Sequence, residues 1–299
     1  MAGKFLQIKT RIGKLHSTIK ITRAMELVAT SRIAKAQTRL TQARPYAQRI
    51  QDAIRELAGV AEVASEFPLL KPRDEIRTVG IVVITSDRGL AGSYNSNVIK
   101  LAVTMIKEAR AQGREPRLFV VGKKGLSFFR FSRIPIAHEW QGVSDQPRFE
   151  HAETIGDLLV EEFIAGTIDE VRIAFTDFVS VGRQVPTVNT ILPIRKEDVE
   201  AKQGEITPLY DFEPEPGAIL NLLLPRYLNT VIYAALLESS ASEHAARRRA
   251  MKAATENGEE LVKVYTRIAN RERQAEITGE ILEVVGGAEA LRDKETANA

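Results

Sequence analysis

The sequence predicts an α/β fold: a long antiparallel coiled coil from the N- and C-terminal helices, plus a central α/β domain between them. Three observations predict it. Residues 1–60 carry an unbroken heptad seam, residues 210–299 carry a second long helical pattern, and strand and helix patterns alternate over residues 75–200.

The first element is read from its period. Phe5, Ile8, Ile12, Leu15, Ile19, Thr22, Glu26, Ala29, Ile33, Ala36, Leu40, Ala43, Ala47, Ile50, Ile54 and Leu57 follow one another at alternating spacings of 3 and 4, and 14 of the 16 are apolar. A seam of this kind calls for a partner helix. At ~1.5 Å per residue the helix is ~80 Å long. Pro45 removes an internal hydrogen bond and predicts a kink. Large aliphatics dominate to Ile19, and alanines take over later, which lets helices approach closely.

The C-terminal element is less regular. No proline interrupts Arg226 to Val285; Pro225 is expected in its first turn and Gly286-Gly287 at its far end. Leu236, Leu237, Met251, Leu261, Val264, Ile268 and Leu282 mark its apolar positions, with a run of alanines around Ala245–Ala254. Neither long helix can bury its seam alone, so the two are expected to pair antiparallel.

The middle alternates. Strands are expected in "RTVGIVVIT", "PRLFVVG", "SRIPIAHEW", "DEVRIAFTDF" and "PTVNTILPI", and helices in "SNVIKLAVTMIKEARAQG", "KKGLSFFRF" and "AETIGDLLVEEFIAG". Gly113 and Gly166 close two of these helices. The βαβα order implies a mostly parallel, Rossmann-like sheet with helices packed on it. "KEDVEAKQGEITPLYDFEPEPG" reads as the linker that leaves the domain.

Composition narrows the function classes. The chain of 299 residues is 44% apolar and 27% charged, with net charge +3 and a pI near 9.0. That is globular, and too weakly basic to argue for nucleic acid. With no cysteine, disulfides and thiolate chemistry are excluded. The basic start lacks the apolar core of a secretory signal, and no apolar run approaches a membrane span, so membrane association is expected only through a partner.

The segment "TSDRGLAGSYN" (85–95) follows the apolar run "VGIVVI" as a phosphate loop would. Gly89 and Gly92 do not complete G-x-G-x-x-G, and no G-K-[ST] follows. Gly122-Lys-Lys-Gly125 is equally incomplete. Asp87 beside Arg88 reads as a turn-holding pair or helix cap. His16, His138, His151 and His244 have no metal-ligand spacing; His16 and His244 are expected to be solvated. No nucleophile, base and oxyanion site assembles, so no catalytic, cofactor-binding or metal residue is expected.

Charge and apolarity on the long helices are more informative. Arg23, Arg32, Lys35 and Arg39 on the first, with Arg247-Arg248-Arg249 and Lys252 on the second, form a solvated face or a cationic collar for an acidic partner. "NRERQAEITGEILEVVGGAEAL" turns apolar towards its end, implying a sleeve of other protein.

"KITRAMELVATSRIAKA" (20–36), "SDRGLAGSYN" and the run from "SEHAARRRAMKAATENGEEL" to "ITGEILEVVGGAEAL" (242–291) carry a resemblance. Over essentially its whole length the sequence resembles the gamma subunits of bacterial F-type ATP synthases. Ala91 stands where that family often has Cys, and Arg248 where it often has Met. The Cys-bearing insertion of chloroplast relatives is absent.

The resemblance implies a rotor shaft that transmits torque without bond chemistry of its own, coupling proton flow to ATP synthesis or hydrolysis. Its implied partners are three alpha and three beta subunits, the epsilon subunit and the membrane c-ring, at the cytoplasmic face of the bacterial cell membrane. By resemblance, Arg273, Gln274 and Thr278 match positions that touch the beta catch loops, and Met25, Arg32 and Lys35 match the facing helix. Asp87, Arg88, Arg247, Arg249 and Lys252 join the implied beta contacts. Glu213, in "YDFEPEP", falls near rotor-foot contacts. The competing reading is a soluble nucleotide-binding enzyme with coiled-coil dimerisation arms, favoured only by the glycine loops.

Overall fold

The computed structural model describes residues 2–60, 67–194 and 216–297. In chain order they form α1 (Ala2–Val60), β1 (Thr78–Ile84), α2 (Tyr94–Ala111), β2 (Glu115–Val121), α3 (Lys123–Phe131), β3 (His138–Trp140), α4 (Phe149–Ile164), β4 (Glu170–Phe178), β5 (Gln184–Leu192) and α5 (Pro216–Ala297). The expected strands and helices of the middle region are all present. Residues 195–215, and with them Glu213 and the expected linker up to Glu215, lie outside the described residues, while the linker's last two residues, Pro216 and Gly217, open α5.

The chain divides into two compact units: residues 1–28 with 250–299, and residues 29–249. In the first, α1 and α5 pair. Lys4 Nζ lies 2.8 Å from Glu272 Oε1, the Arg11 guanidinium sits 5.0 Å from the Tyr265 ring centre, and the Thr22 and Thr255 hydroxyls meet at 2.7 Å. As one partner advances from 4 to 11 to 22, the other retreats from 272 to 265 to 255, so the helices run antiparallel. Gly258 permits their close approach: a Cβ there would stand 2.8 Å from Ile19 Cγ1.

Every one of the sixteen seam positions of α1 is buried or half-buried. The helix runs through Pro45 as a single element of 59 residues. Helix α5 is longer than its sequence pattern indicates: it starts nine residues before Pro225 and continues through Gly286-Gly287. At Pro225 tertiary packing overrides propensity, with Leu224 and Leu228 beside it in the core; Gly286 and Gly287 continue the helix as exposed residues with nothing packed within 4 Å of a Cβ position. By length and composition α5 is also apolar enough to cross a membrane, contrary to the expectation from sequence. Its apolar positions Leu220, Leu224, Leu228, Ile232 and Leu236 are instead core of the second unit.

The second unit holds a five-stranded sheet of order β3-β2-β1-β4-β5. β1 pairs in parallel with β2 and β4, and β2 with β3, while β5 is antiparallel to β4. β1 is apolar throughout because both of its faces are covered. Val82 and Ile84 face α4, α5 and the end of α1 with Ile54 and Leu57; Val79, Ile81 and Val83 face α2 and α3. Gly113 (φ 71) and Gly166 (φ 74) occupy left-handed positions just past α2 and α4, where a side chain would be strained.

Candidate functional site

The turn after β1 is built by side chains reaching for backbone. Thr85 Oγ1 donates to Val121 O at 2.8 Å and accepts from Gly125 N at 2.9 Å. Ser86 O accepts from Lys124 N at 3.0 Å. Asp87 bridges two neighbours: Oδ1 accepts from Lys123 N and Oδ2 from Ser144 N, each at 3.2 Å, while its own N–H donates to Ser144 Oγ at 2.9 Å. The first N–H groups of α3 are therefore all engaged within the protein. A phosphate cradle needs those donors free and aimed outward, and here they fasten the turn. Asp87 caps and clasps, in line with the expectation from sequence; Arg88 takes part through its carbonyl, with its side chain exposed.

A buried polar cluster backs this turn. Arg247 is 7% exposed, and its Nη2 donates to Glu243 Oε1 at 2.5 Å and to Gly89 O at 3.2 Å. Its Nη1 lies 3.3 Å from His244 Nδ1. His244 Nε2 is 3.7 Å from Asp145 Oδ1, and Asp145 also pairs with Arg32. His244 is 2% exposed, so the expectation of a solvated histidine is corrected. Burial, then the Arg247 charge, lowers its pKa to about 4, against the opposing pull of Asp145. Burial pushes the Glu243 carboxyl up, and Arg247 opposes that. Burial, then the Glu243 charge, holds the Tyr94 phenol protonated. The cluster is thus a neutral imidazole and a phenol packed beside two ion pairs, Arg247–Glu243 and Arg32–Asp145.

Sequence reasoning misses Glu243, Ser144 and Asp145. The i, i+4 spacing of Glu243 and Arg247 is the one signal that points to their pairing. Contact with the loop bearing Ser144 is long-range and leaves no mark in the sequence.

An ATP synthase family profile matches residues 4–291. The ATP synthase gamma chain of Salinispora tropica is 46% identical, covering 97% of this chain and 98% of its own. That of Mycolicibacterium smegmatis is 45% identical over 97% of this chain. This chain belongs to the ATP synthase gamma-chain family. Among solved structures, the central stalk and c-ring of Tetrahymena thermophila mitochondrial ATP synthase contains a chain matching with TM-score 0.57 and 25% identity over 78% of this chain and 99% of its own. A chain of the Euglena gracilis mitochondrial enzyme shares the fold, with TM-score 0.68 over 99% of this chain at 18% identity.

A gamma chain is the central-stalk rotor subunit of F-type ATP synthase and does no catalysis itself. The residues that the resemblance marked fall into separate places on this gamma chain. In the second unit, Arg32 and Lys35 line a small cleft with Arg39, opposite Leu237, Ser240 and His244. Arg249 is exposed and reaches back to the 181–184 turn, donating to Val181 O at 3.1 Å and to the Gln184 side chain. In the first unit, Met25 is half-buried on α1, and Lys252 is exposed, 3.9 Å from Glu256. Arg273, Gln274 and Thr278 are exposed on α5; the Thr278 hydroxyl donates to Gln274 O at 2.9 Å. Among and beyond them Ile277, Ile281, Leu282, Val284 and Val285 stay exposed, Val284 at 73%.

Proposed function

We propose that this gamma chain turns inside a hexamer of three alpha and three beta subunits and carries torque between it and a proton-driven c-ring, with epsilon beside it on the foot. This places the subunit at the cytoplasmic face of a bacterial cell membrane, held there through the complex. One observation carries the reading: the exposed apolar run from Ile277 to Val285 on the stretch of α5 that follows the Lys4–Glu272 ion pair. Exposed apolar surface of that extent calls for surrounding protein, and a hexamer cavity supplies it without charge pairs that would lock the rotor at one angle.

Torque demands stiffness, which paired helices provide, and unequal contact with the beta subunits, since equal contact shifts no equilibrium among them. Arg273, Gln274 and Thr278 act as the beta contacts on α5, and Met25, Arg32 and Lys35 on α1. Asp87 and Arg88 present the turn, and Arg249 and Lys252 supply charge to acidic beta levers. Glu213 belongs to the foot. Residues 1–60, 75–200 and 210–299 serve as shaft helix, foot domain and second shaft helix.

The test is co-purification of the tagged chain with alpha and beta subunits, followed by a cross-link from a cysteine introduced at Arg273 to a beta subunit. The chain has no other cysteine, so the link is specific. Turnover should stop when the link forms and return on reduction. A complex that turns over at full rate while linked contradicts the rotor role; tight stoichiometric ATP binding by the isolated chain would favour the nucleotide-binding alternative.

A further inference from the structure

We infer that Arg247 is a positioning residue for the turn at Arg88–Leu90: it acts from inside the protein and fixes the shape of a knob that meets the partner. The functional half of this inference rests on the proposed contact between that turn and the beta subunits.

The turn is one the chain does not adopt freely. Leu90 sits at φ 61, a left-handed conformation that a branched L side chain disfavours. It is also 63% exposed, so burial does not compensate. The two peptide groups before it are gripped from behind. Arg247 Nη2 lies 3.2 Å from Gly89 O and 3.5 Å from Arg88 O, and Nε lies 3.4 Å from Gly89 O. Ser86 Oγ adds a bond to Arg88 O at 2.6 Å.

The grip is itself held. Glu243, 1% exposed, accepts from the same Nη2 at 2.5 Å and so fixes the guanidinium. The guanidinium spreads its donors over three nitrogens, with Nε and Nη2 both on Gly89 O and Nη1 beside His244 Nδ1; a lysine keeps the charge but gathers its donors on one nitrogen. With its donors spent inward, Arg247 has little charge to offer a lever outside. What faces outward is an apolar tip, Leu90, beside the exposed cation of Arg88. That surface fits an apolar hollow edged by carboxylates on a beta subunit.

Trypsin reads the grip directly, because cleavage after Arg88 requires the Arg88–Gly89 peptide to leave its carbonyl contacts and extend. In the free full-length chain, Arg247→Met should accelerate cleavage after Arg88 about tenfold or more relative to cleavage after Lys107 on α2. Glu243→Gln should do the same, and Arg247→Lys should restore part of the protection. In the assembled complex, Arg247→Met should lower protons pumped per ATP hydrolysed, with partial recovery in Arg247→Lys. Unchanged cleavage after Arg88 in both Arg247→Met and Glu243→Gln overturns the grip. Faster cleavage with unchanged coupling leaves the grip standing and overturns the contact of the turn with beta subunits. If Arg247→Met is cut at every basic site through loss of fold, Glu243→Gln and Arg247→Lys decide: equal protection in these and the unaltered chain overturns the inference.

Discussion

His244 gives the sharpest quantitative prediction. Its imidazole is 2% exposed, with Arg247 Nη1 3.3 Å from one ring nitrogen and Asp145 Oδ1 3.7 Å from the other. Arg32, paired to Asp145, adds a second repelling cation. The folded-state pKa is lowered from 6.5 to about 4, chiefly by burial. A depressed histidine pKa means that the unfolded chain binds the proton first. Stability from this residue is therefore complete above about pH 6.5 and drains away as pH falls towards 4, levelling below that. At about 1.4 kcal/mol per unit, the span is worth about 3 kcal/mol. The assay is urea unfolding at pH values from 7.5 to 4, comparing the chain with His244→Gln, together with an NMR titration of the imidazole. The difference in unfolding free energy between the two chains should shrink by about 3 kcal/mol over that window. An imidazole titrating near 6.5, or a difference that stays level with pH, would refute the reasoning.

Other outcomes follow from geometry. Gly122→Ala should cost about 3 kcal/mol or more, since the position has φ 95 and a Cβ there would fall 2.2 Å from Thr85 O; thermal unfolding checks this. Thr22→Val and Thr255→Val should each cost about 1 kcal/mol by removing the bond between the two hydroxyls, since the hydroxyl that remains keeps a backbone carbonyl (Ile19 O for Thr22, Met251 O for Thr255), and the double variant should cost less than the sum. A double-mutant cycle in denaturant measures the coupling. Arg249→Gln with Lys252→Gln should weaken coupling of proton pumping to ATP hydrolysis, more at low salt than high, because exposed charges are screened over roughly 10 Å at 0.1 M. Coupling unaffected at every ionic strength would mean that these charges only solvate the surface.

The coiled coil is legible in the amino-acid sequence alone. A seam holding its register from Phe5 to Leu57 needs a partner helix, and each of its positions is buried or half-buried in the fold. The strands are equally plain, because a parallel sheet covered on both faces demands runs such as "VGIVVI". Helix ends are less so. Pro225 and the Gly286-Gly287 pair read as boundaries, yet α5 runs past both; at Pro225 the buried face of Leu220, Leu224, Leu228 and Ile232 outweighs local propensity.

Periodicity and spacing along the chain suffice to establish that two long helices flank an α/β domain, that they must pair, and that the glycine loop lacks a nucleotide fingerprint. The work of individual charged residues is set by tertiary packing instead. Arg247 and Lys252 look alike in a basic run, but one is buried against Glu243 and the carbonyl of Gly89 while the other stands 61% exposed. His244 and His16 differ in the same way. A charge is buried or solvated according to what the rest of the chain brings against it, and neighbours such as Asp145 at His244 and Gly89 at Arg247 come from distant parts of the sequence.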